Sequence, residues 1–134
     1  MRFSQKITII NISKPKRSTV NQDLQYFGSA LGLFGLRDKD KSCYRVFVEL
    51  LKAAKIGIGL SSDELALKLN LSRGTVVHHL NKLIEGGIAI NSKNRYFLRE
   101  ENLQQVIEEI RKDLEKSMVE LLSIAKDIDD NVGL

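Results

Sequence analysis

The sequence predicts a mainly α-helical fold with one small β-hairpin and a long C-terminal helix. Apolar residues recur at helical spacing in three segments between residues 43 and 84. Two short β-rich runs follow, with a polar turn between them. From residue 103 onward, apolar residues alternate at spacings of four and three, which is typical of a heptad seam. We therefore expect an α+β chain in three parts: an accessory segment with a basic arm (1–37), a compact domain (38–99) and a long helix (100–134).

Composition limits the kind of protein this can be. At 134 residues, 43% of them hydrophobic, the chain suits one domain with extensions and can bury a core. Cys43 is the single cysteine, which excludes an intramolecular disulfide and a thiolate metal cluster and favours a reducing cytoplasm. No apolar run approaches the roughly 18 residues of a membrane span.

The net charge of +4 is distributed unevenly. Residues 1–20 contain five basic residues and no acidic one, and residues 72–99 contain five basic residues and one acidic residue. Residues 100–134 contain four basic and ten acidic residues. This pattern predicts a surface for a polyanion in the first two regions and an acidic C-terminal helix.

The N-terminal part is predicted in three pieces. The β-branched run Lys6–Ile12 predicts a short strand. A turn or basic arm follows, with Lys14, Lys16 and Arg17, which either adds phosphate contacts or is a solvated tail. Leu24–Leu36 has an apolar face at helical spacing but contains three glycines, each of which weakens a helix by about 1 kcal/mol. This piece either lines the pocket of an effector or packs as a helix.

The first regular helix is predicted between Cys43 and Ala54, after a charged entry at Asp38–Ser42, and Gly57 ends it. A second, short helix begins at Ser61, which has Glu64 three residues later in the pattern of a capping box. The apolar residues that place these two helices against a core are Val46, Phe47, Leu50, Leu51, Ala54, Leu65, Ala66, Leu67 and Leu69.

A third helix follows after a tight turn at Asn70. Ser72 is its predicted N-cap and Gly86-Gly87 its end, and Val76, Leu80 and Leu83 form its buried face. The strands of the hairpin are predicted at Ile88–Ile90 and Arg95–Leu98, with a polar turn at Asn91–Asn94.

This order of elements is that of a winged helix-turn-helix, which places its second motif helix in the major groove of DNA. Residues 73–85 are the predicted recognition helix, and the loop 91–95 is the predicted wing on the DNA backbone or minor groove. Arginine and asparagine side chains suit base edges, and lysines suit phosphates. The predicted DNA-binding residues are Ser72, Arg73, Gly74, Thr75, Val77, His78, Asn81, Lys82, Lys93, Asn94 and Arg95.

The last segment carries the heptad seam, which is apolar except for Ser117. A seam of nearly four heptads on a helix with many Glu and Lys favours pairing with a second long helix, most simply its own copy. The predicted interface of a homodimer contains Leu103, Ile107, Ile110, Leu114, Leu121, Ile124 and Ile128.

Catalytic and metal-binding patterns are not found in the sequence. His78 and His79 are adjacent, so on a helix they diverge by about 100° and do not share a metal ion. The chain has no glycine-rich phosphate loop, no pair of catalytic carboxylates and no HExxH motif. The sequence therefore predicts a protein that is not an enzyme, without a cofactor or a metal site.

Ser72–Ile90, SRGTVVHHLNKLIEGGIAI, resembles the recognition helix and first wing strand of ArsR-like winged-helix regulators. The stretches GLFGLRDKDKSCYRVFVELL and SSDELALKLNLS are also similar to uncharacterised archaeal proteins of this architecture. The resemblance, over residues 42–99, implies a homodimer, a helix that binds in a DNA groove, and transcriptional control. Metal sensors of that family carry a CVC-type site at the start of this region. Cys43 is the single cysteine here and cannot form a CVC-type site, so metal sensing through that site is not implied.

The sequence thus predicts a cytoplasmic, homodimeric regulator that binds specific double-stranded DNA, with an effector left open and no membrane partner. Two alternatives stay open. One is a winged-helix adaptor that binds proteins of the transcription, replication or repair machinery, and the other is an RNA-binding winged helix.

Overall fold

The computed structural model describes residues 5–14, 16, 19–35 and 41–133. Five helices and one antiparallel hairpin are found within these ranges. In chain order they are α1 (Val20–Ala30), α2 (Ser42–Lys55), α3 (Ser62–Leu69), α4 (Arg73–Glu85), β1 (Ala89–Ser92), β2 (Arg95–Leu98) and α5 (Leu103–Asn131). The mainly helical fold with a small β-wing and a long C-terminal helix, predicted from the sequence, is confirmed.

One hydrophobic core joins these elements. It is built from the inner faces of α2, α3 and α4, the hairpin, and the first turns of α5, and Leu33 adds to it from the segment after α1. The side chains at its centre, all fully buried, are Val46, Phe47, Leu50, Leu65, Val76, Leu80, Leu83, Ile88 and Val106. The core thus fixes α4 by one face and leaves its other face outward.

The helix ends follow the predicted local signals. The Ser61 hydroxyl accepts a hydrogen bond from the Glu64 amide at 3.0 Å, and the Ser72 hydroxyl accepts one from the Thr75 amide at 3.1 Å. Asn70 ends α3 in the left-handed region, at φ 54°, which sets the turn between the two motif helices.

The turn of the hairpin is shorter than predicted. β1 runs to Ser92, opposite Arg95, so the turn contains only Lys93 and Asn94. Both have positive φ, 52° and 62°, as in the two-residue turns that match the twist of a hairpin. Tyr96 also exchanges two backbone hydrogen bonds with Leu60, of 3.0 and 2.8 Å, which fix the hairpin to the connection between α2 and α3.

Two predictions for the N-terminal part are wrong. Lys6–Ile12 is not a strand, because its β-branched run meets α1 and α4 rather than another strand: the Lys6 amide bonds to the Glu85 carbonyl and the Ile10 amide to the Ala30 carbonyl. The helix predicted within Leu24–Leu36 begins earlier, at Val20, and ends at Ala30, before Gly32 at φ 70°. The four apolar residues of its predicted face nevertheless pack against the core: Leu24, Phe27, Leu31 and Phe34.

Part of the predicted N-terminal arm and of the charged helix entry lies outside the described residues. These residues are Arg17 in the arm and the positions 38–40 before α2. Lys14 and Lys16 of the arm are exposed.

Two ion clusters, one on the buried Glu49 and one on the half-buried Asp113, connect elements of the fold. The Glu49 carboxylate in α2 lies 2.9 Å from Lys68 Nζ and 3.5 Å from Lys52 Nζ. Burial raises the pKa of Glu49, but the hydrogen bonds and charges of the two lysines outweigh it, so the pKa is lowered overall. An ionised Glu49 therefore connects α2 with α3.

The second cluster centres on Asp113 of α5. Its Oδ2 lies 2.8 Å from Arg99 Nη1, and the Gln5 side chain donates a hydrogen bond to it at 3.1 Å. The hydrogen bond from Arg99 is the main cause of the lowered pKa of Asp113. The N-terminal segment, the end of the wing and α5 thus meet at one carboxylate.

Candidate nucleic-acid interface

Helix α4 has one buried and one exposed face. Val76, Leu80 and Leu83 have no exposed surface, in agreement with the predicted buried face. The opposite face is polar, and its exposed residues are Arg73, Gly74, His78, Asn81, Lys82 and Glu85. Thr75 and Val77 are only half-buried at its border. Apart from Glu85, this face presents donors and cations of the kinds that bind DNA.

The N-terminal turn of α4 is open. The Ser72 hydroxyl caps the helix and also donates a hydrogen bond to the Thr75 hydroxyl at 2.8 Å. A Cβ added to Gly74 would meet no atom within 4 Å, so a ligand backbone has room to approach the helix here. Arg73 Nε lies 3.6 Å from Asp63 Oδ1, and both side chains are largely exposed. Such an exposed pair is weak, about 0–1 kcal/mol, and a phosphate or base can replace the carboxylate.

The C-terminal half of α4 contacts the N-terminal part of the chain. Much of Lys82 is exposed, but its ammonium donates a hydrogen bond to the Leu33 carbonyl at 3.0 Å. The Lys6 amide bonds to the Glu85 carbonyl at 2.9 Å. Lys82 is therefore less available to a phosphate than its position on the helix indicated.

The two histidines of α4 differ in environment. His78 is exposed on the outer face. His79 is half-buried and hydrogen-bonded to the Ser42 hydroxyl at 2.7 Å, which connects α4 with the start of α2. This geometry is that of a packed, hydrogen-bonded histidine.

Lys93 and Asn94 lie at the exposed tip of the wing, whereas the Arg95 side chain is engaged in contacts within the chain. Arg95 Nη1 donates to the Gly59 carbonyl at 2.9 Å and lies 3.1 Å from Glu64 Oε1. These contacts hold the base of the wing against α3, and only the other guanidinium donors are left for a phosphate.

Three of the four predicted basic contacts thus have partners that sequence reasoning missed. The partners are Asp63, the Leu33 carbonyl and Glu64 with the Gly59 carbonyl. No sequence signal identifies the carbonyl partners, because they depend on how distant segments meet. Glu64 is part of the helix-start signal in the sequence, but its ion pair with Arg95, like that of Asp63 with Arg73, becomes apparent only in the folded chain.

The predicted dimer seam lies on two different kinds of surface. Ile110 is 4% exposed and belongs to the core of its own chain, and Leu103 packs against that core. Ile110 is therefore not available to a second helix, which corrects the predicted interface, because the first turns of α5 cover the winged domain. Leu114 is half-buried, and the remaining seam residues are exposed: Ile107, Leu121, Ile124 and Ile128.

Beyond Leu114 the apolar stripe of α5 projects from the body. At about 100° per residue, Leu114, Leu121 and Ile128 lie within about 40° of one another on the helix. Met118 and Ile124 flank them, and these two side chains are 49% and 54% exposed. A stripe of large apolar side chains on a projecting helix is the surface expected of a protein interface.

Two further properties concern the described residues only. In those ranges no group of three or more His, Cys, Asp or Glu side chains is arranged to hold a metal ion. No helix among them has the length and apolar character needed to cross a bilayer.

Residues 46–97 match a family model described as an HTH domain. Searches of curated proteins and of solved structures gave no match. The matched residues run from the core of α2 through the end of the wing, so they include both motif helices and the hairpin. Helix-turn-helix domains act by binding rather than catalysis. The match and the winged fold together identify a helix-turn-helix domain and support a DNA-binding role for this chain.

Proposed function

We propose that the protein is a homodimeric transcriptional regulator that binds a specific double-stranded DNA sequence. The observation that carries this proposal is the outer face of α4, where Arg73, His78 and Asn81 are exposed beside an open helix start. In this arrangement α4 enters the major groove with its N-terminal turn near base edges. Arg73 contacts guanine or phosphate, and Asn81 and His78 donate to bases or to the backbone.

The wing supplies contacts to the DNA backbone or minor groove. Lys93 and Asn94 lie at its tip, and the contacts of Arg95 with Gly59 and Glu64 hold the base of the wing against α3. Because phosphate contacts carry no sequence information, Lys93 adds affinity for every duplex alike. We assign Arg95 mainly to holding the wing, with its free donors as a secondary phosphate contact.

The projecting part of α5 forms the dimer. Five apolar side chains from Leu114 to Ile128 would meet their copies in a two-helix seam: Leu114, Met118, Leu121, Ile124 and Ile128. Ile107 lies on the same side, and its side chain is 37% exposed. Two paired chains present two α4 helices to a two-fold symmetric site with half-sites about one helical turn apart.

We also propose the ArsR-like subtype and a cytoplasmic location. The subtype is supported by the sequence SRGTVVHHLNKLIEGGIAI, which covers α4 and the start of the wing. The location follows from the proposed ligand, since a transcriptional regulator must reach its operator. In this proposal residues 1–37 form an accessory part, residues 38–99 bind DNA, and residues 100–134 form the pairing helix.

Selection from a random duplex library, followed by gel-shift titration, tests the proposal. The full chain should enrich a palindrome. Arg73→Ala should weaken binding by about 1–3 kcal/mol at each half-site, or roughly 5- to 150-fold in Kd per half-site, and by about twice that free energy for the dimer on the palindrome. Lys93→Ala should weaken specific and random duplexes alike and reduce the salt slope by about 1 per half-site. The matched control is Lys126→Ala near the far end of α5, which should bind like the natural chain.

The adaptor and RNA-binding alternatives give different results. Failure of the folded chain to enrich any duplex sequence would favour an adaptor that binds proteins. Preference for single-stranded or hairpin RNA over the selected duplex would favour the RNA-binding alternative. Either result would refute sequence-specific DNA recognition by α4.

A further inference from the structure

A cavity of about 690 Å³ lies between the N-terminal segment, α1 and the start of α2. Its apolar wall consists of Ile10 and Ile12 before α1, Phe34 after α1, and Tyr44 in α2. The volume falls within the range of roughly 300–1,000 Å³ that is typical of small-molecule sites. None of its described lining residues lies within the range 46–97 matched by the helix-turn-helix model, so the cavity is a separate feature of the chain.

The aromatic wall of the cavity is held in place by neighbouring rings. The Phe34 ring meets Tyr44 edge to face, with 5.3 Å between centroids, and lies 5.9 Å from Phe47 of the core. The Tyr44 hydroxyl donates a hydrogen bond to the Asn21 side chain in α1. A ring fixed from several sides is a preformed surface, which lowers the entropy lost when a ligand binds.

The polar groups of the cavity favour an anion. Gln25 and Ser29 face it from α1, and Lys41 lies at its edge just before α2. Lys41 is exposed, and none of the lining residues that the structure describes is acidic. A ligand with an apolar body and one negative group would therefore meet complementary chemistry on both sides.

We propose that this cavity binds an amphipathic organic anion, with an aromatic or aliphatic body against Phe34, Tyr44 and Ile12 and a carboxylate or sulfonate near Lys41. Its occupancy affects DNA binding through Lys82. Phe34 directly follows Leu33, whose carbonyl accepts the hydrogen bond from Lys82 Nζ at 3.0 Å. A ligand packed against Phe34 stiffens the segment that carries this carbonyl, and so holds Lys82 more firmly away from a phosphate. This second step rests on the proposed function.

The binding step is tested without DNA. The probe is 8-anilinonaphthalene-1-sulfonate, titrated into the full chain while backbone amides are followed by NMR. Saturable shifts are expected at Ser29, Phe34 and Tyr44. Ser29→Phe, which fills the cavity, should remove them, and Lys41→Glu should weaken binding roughly tenfold by charge repulsion. The matched control is Lys55→Glu at the other end of α2, which should leave them unchanged.

Absence of shifts at these three amides, or identical shifts in the Ser29→Phe variant with its circular dichroism unchanged, would overturn the cavity as a binding site. The coupling is tested by gel shift with the selected duplex at saturating probe. A change in Kd that Ser29→Phe abolishes supports it, and an unchanged Kd overturns it. If the chain binds no duplex while the amide shifts persist, the proposed function fails and the cavity stands.

Discussion

Replacing Leu121 by alanine gives the sharpest test of dimerisation through α5. The Leu121 side chain is 60% exposed in the single chain, at the centre of the projecting stripe. Leu→Ala removes three carbons, each worth about 0.8 kcal/mol when fully buried. With about 60% of that area left to bury, the loss is about 1.4 kcal/mol per copy and about 3 kcal/mol per dimer. The dimer Kd should therefore rise by roughly 100-fold.

Sedimentation velocity over a dilution series measures this change. Val119→Ala is the matched control, because Val119 is 67% exposed and lies about 160° around the helix from Leu121. The control should keep the natural dimer Kd. A natural chain that is monomeric at tens of micromolar, or equal Kd changes in the two variants, would show that this stripe does not pair with its copy.

Three other substitutions have expected outcomes. Gly74→Ala should raise the free energy of unfolding by up to about 1 kcal/mol, since its Cβ meets open space, and yet weaken duplex binding in a gel shift if the DNA backbone approaches there. Gly28→Ala should instead lower the free energy of unfolding by about 1–3 kcal/mol, because its Cβ would lie 1.7 Å from Phe34 Cε2. Equal free energies of unfolding for the two alanine variants would contradict this packing. Asp113→Asn should destabilise the chain by about 1 kcal/mol near pH 7 in urea titrations. Arg99 lowers the pKa of Asp113 in the folded chain. The difference in stability between the natural chain and the variant is therefore full above the ordinary pKa of the carboxyl, and it should shrink as the pH falls through the pKa of the folded state. A constant difference down to about pH 3 would exclude the ion pair as its cause.

The helix-turn-helix core could be predicted from the sequence because its signals are local. Ser61, Asn70 and Ser72 set helix boundaries through their own neighbours, and apolar spacing identified Val76, Leu80 and Leu83 as the buried face of α4. Such signals act over three or four residues, which is also the range over which a sequence pattern can be read.

The N-terminal part could not be predicted in the same way. Lys6–Ile12 has the composition of a strand, but its backbone bonds go to Glu85 and Ala30, which are far apart in sequence. Tertiary contacts therefore overrode local β-propensity. The same distance effect explains why the partners of Lys82 and Arg95 were missed, since they lie 49 and at least 31 residues away in the chain.

The heptad pattern predicts one continuous apolar stripe on α5, but in the structure two parts of this stripe have different surroundings. Leu103 and Ile110 pack into the core with the winged domain, whereas Leu121 and Ile128 project into solvent. Periodicity reports which side of a helix is apolar and says nothing about which neighbour covers it.

The attachment of the wing has a consequence for the thermodynamics of recognition. Two backbone hydrogen bonds between Leu60 and Tyr96, with the contacts of Arg95 to Gly59 and Glu64, fix the hairpin before any ligand is present. A loop that becomes ordered only on a duplex loses about 1–2 kcal/mol of backbone entropy per residue at that moment. In this chain that entropy is lost during folding. In the proposed complex Lys93 would therefore reach a phosphate as part of a rigid frame, and its contact should appear almost fully in the measured affinity.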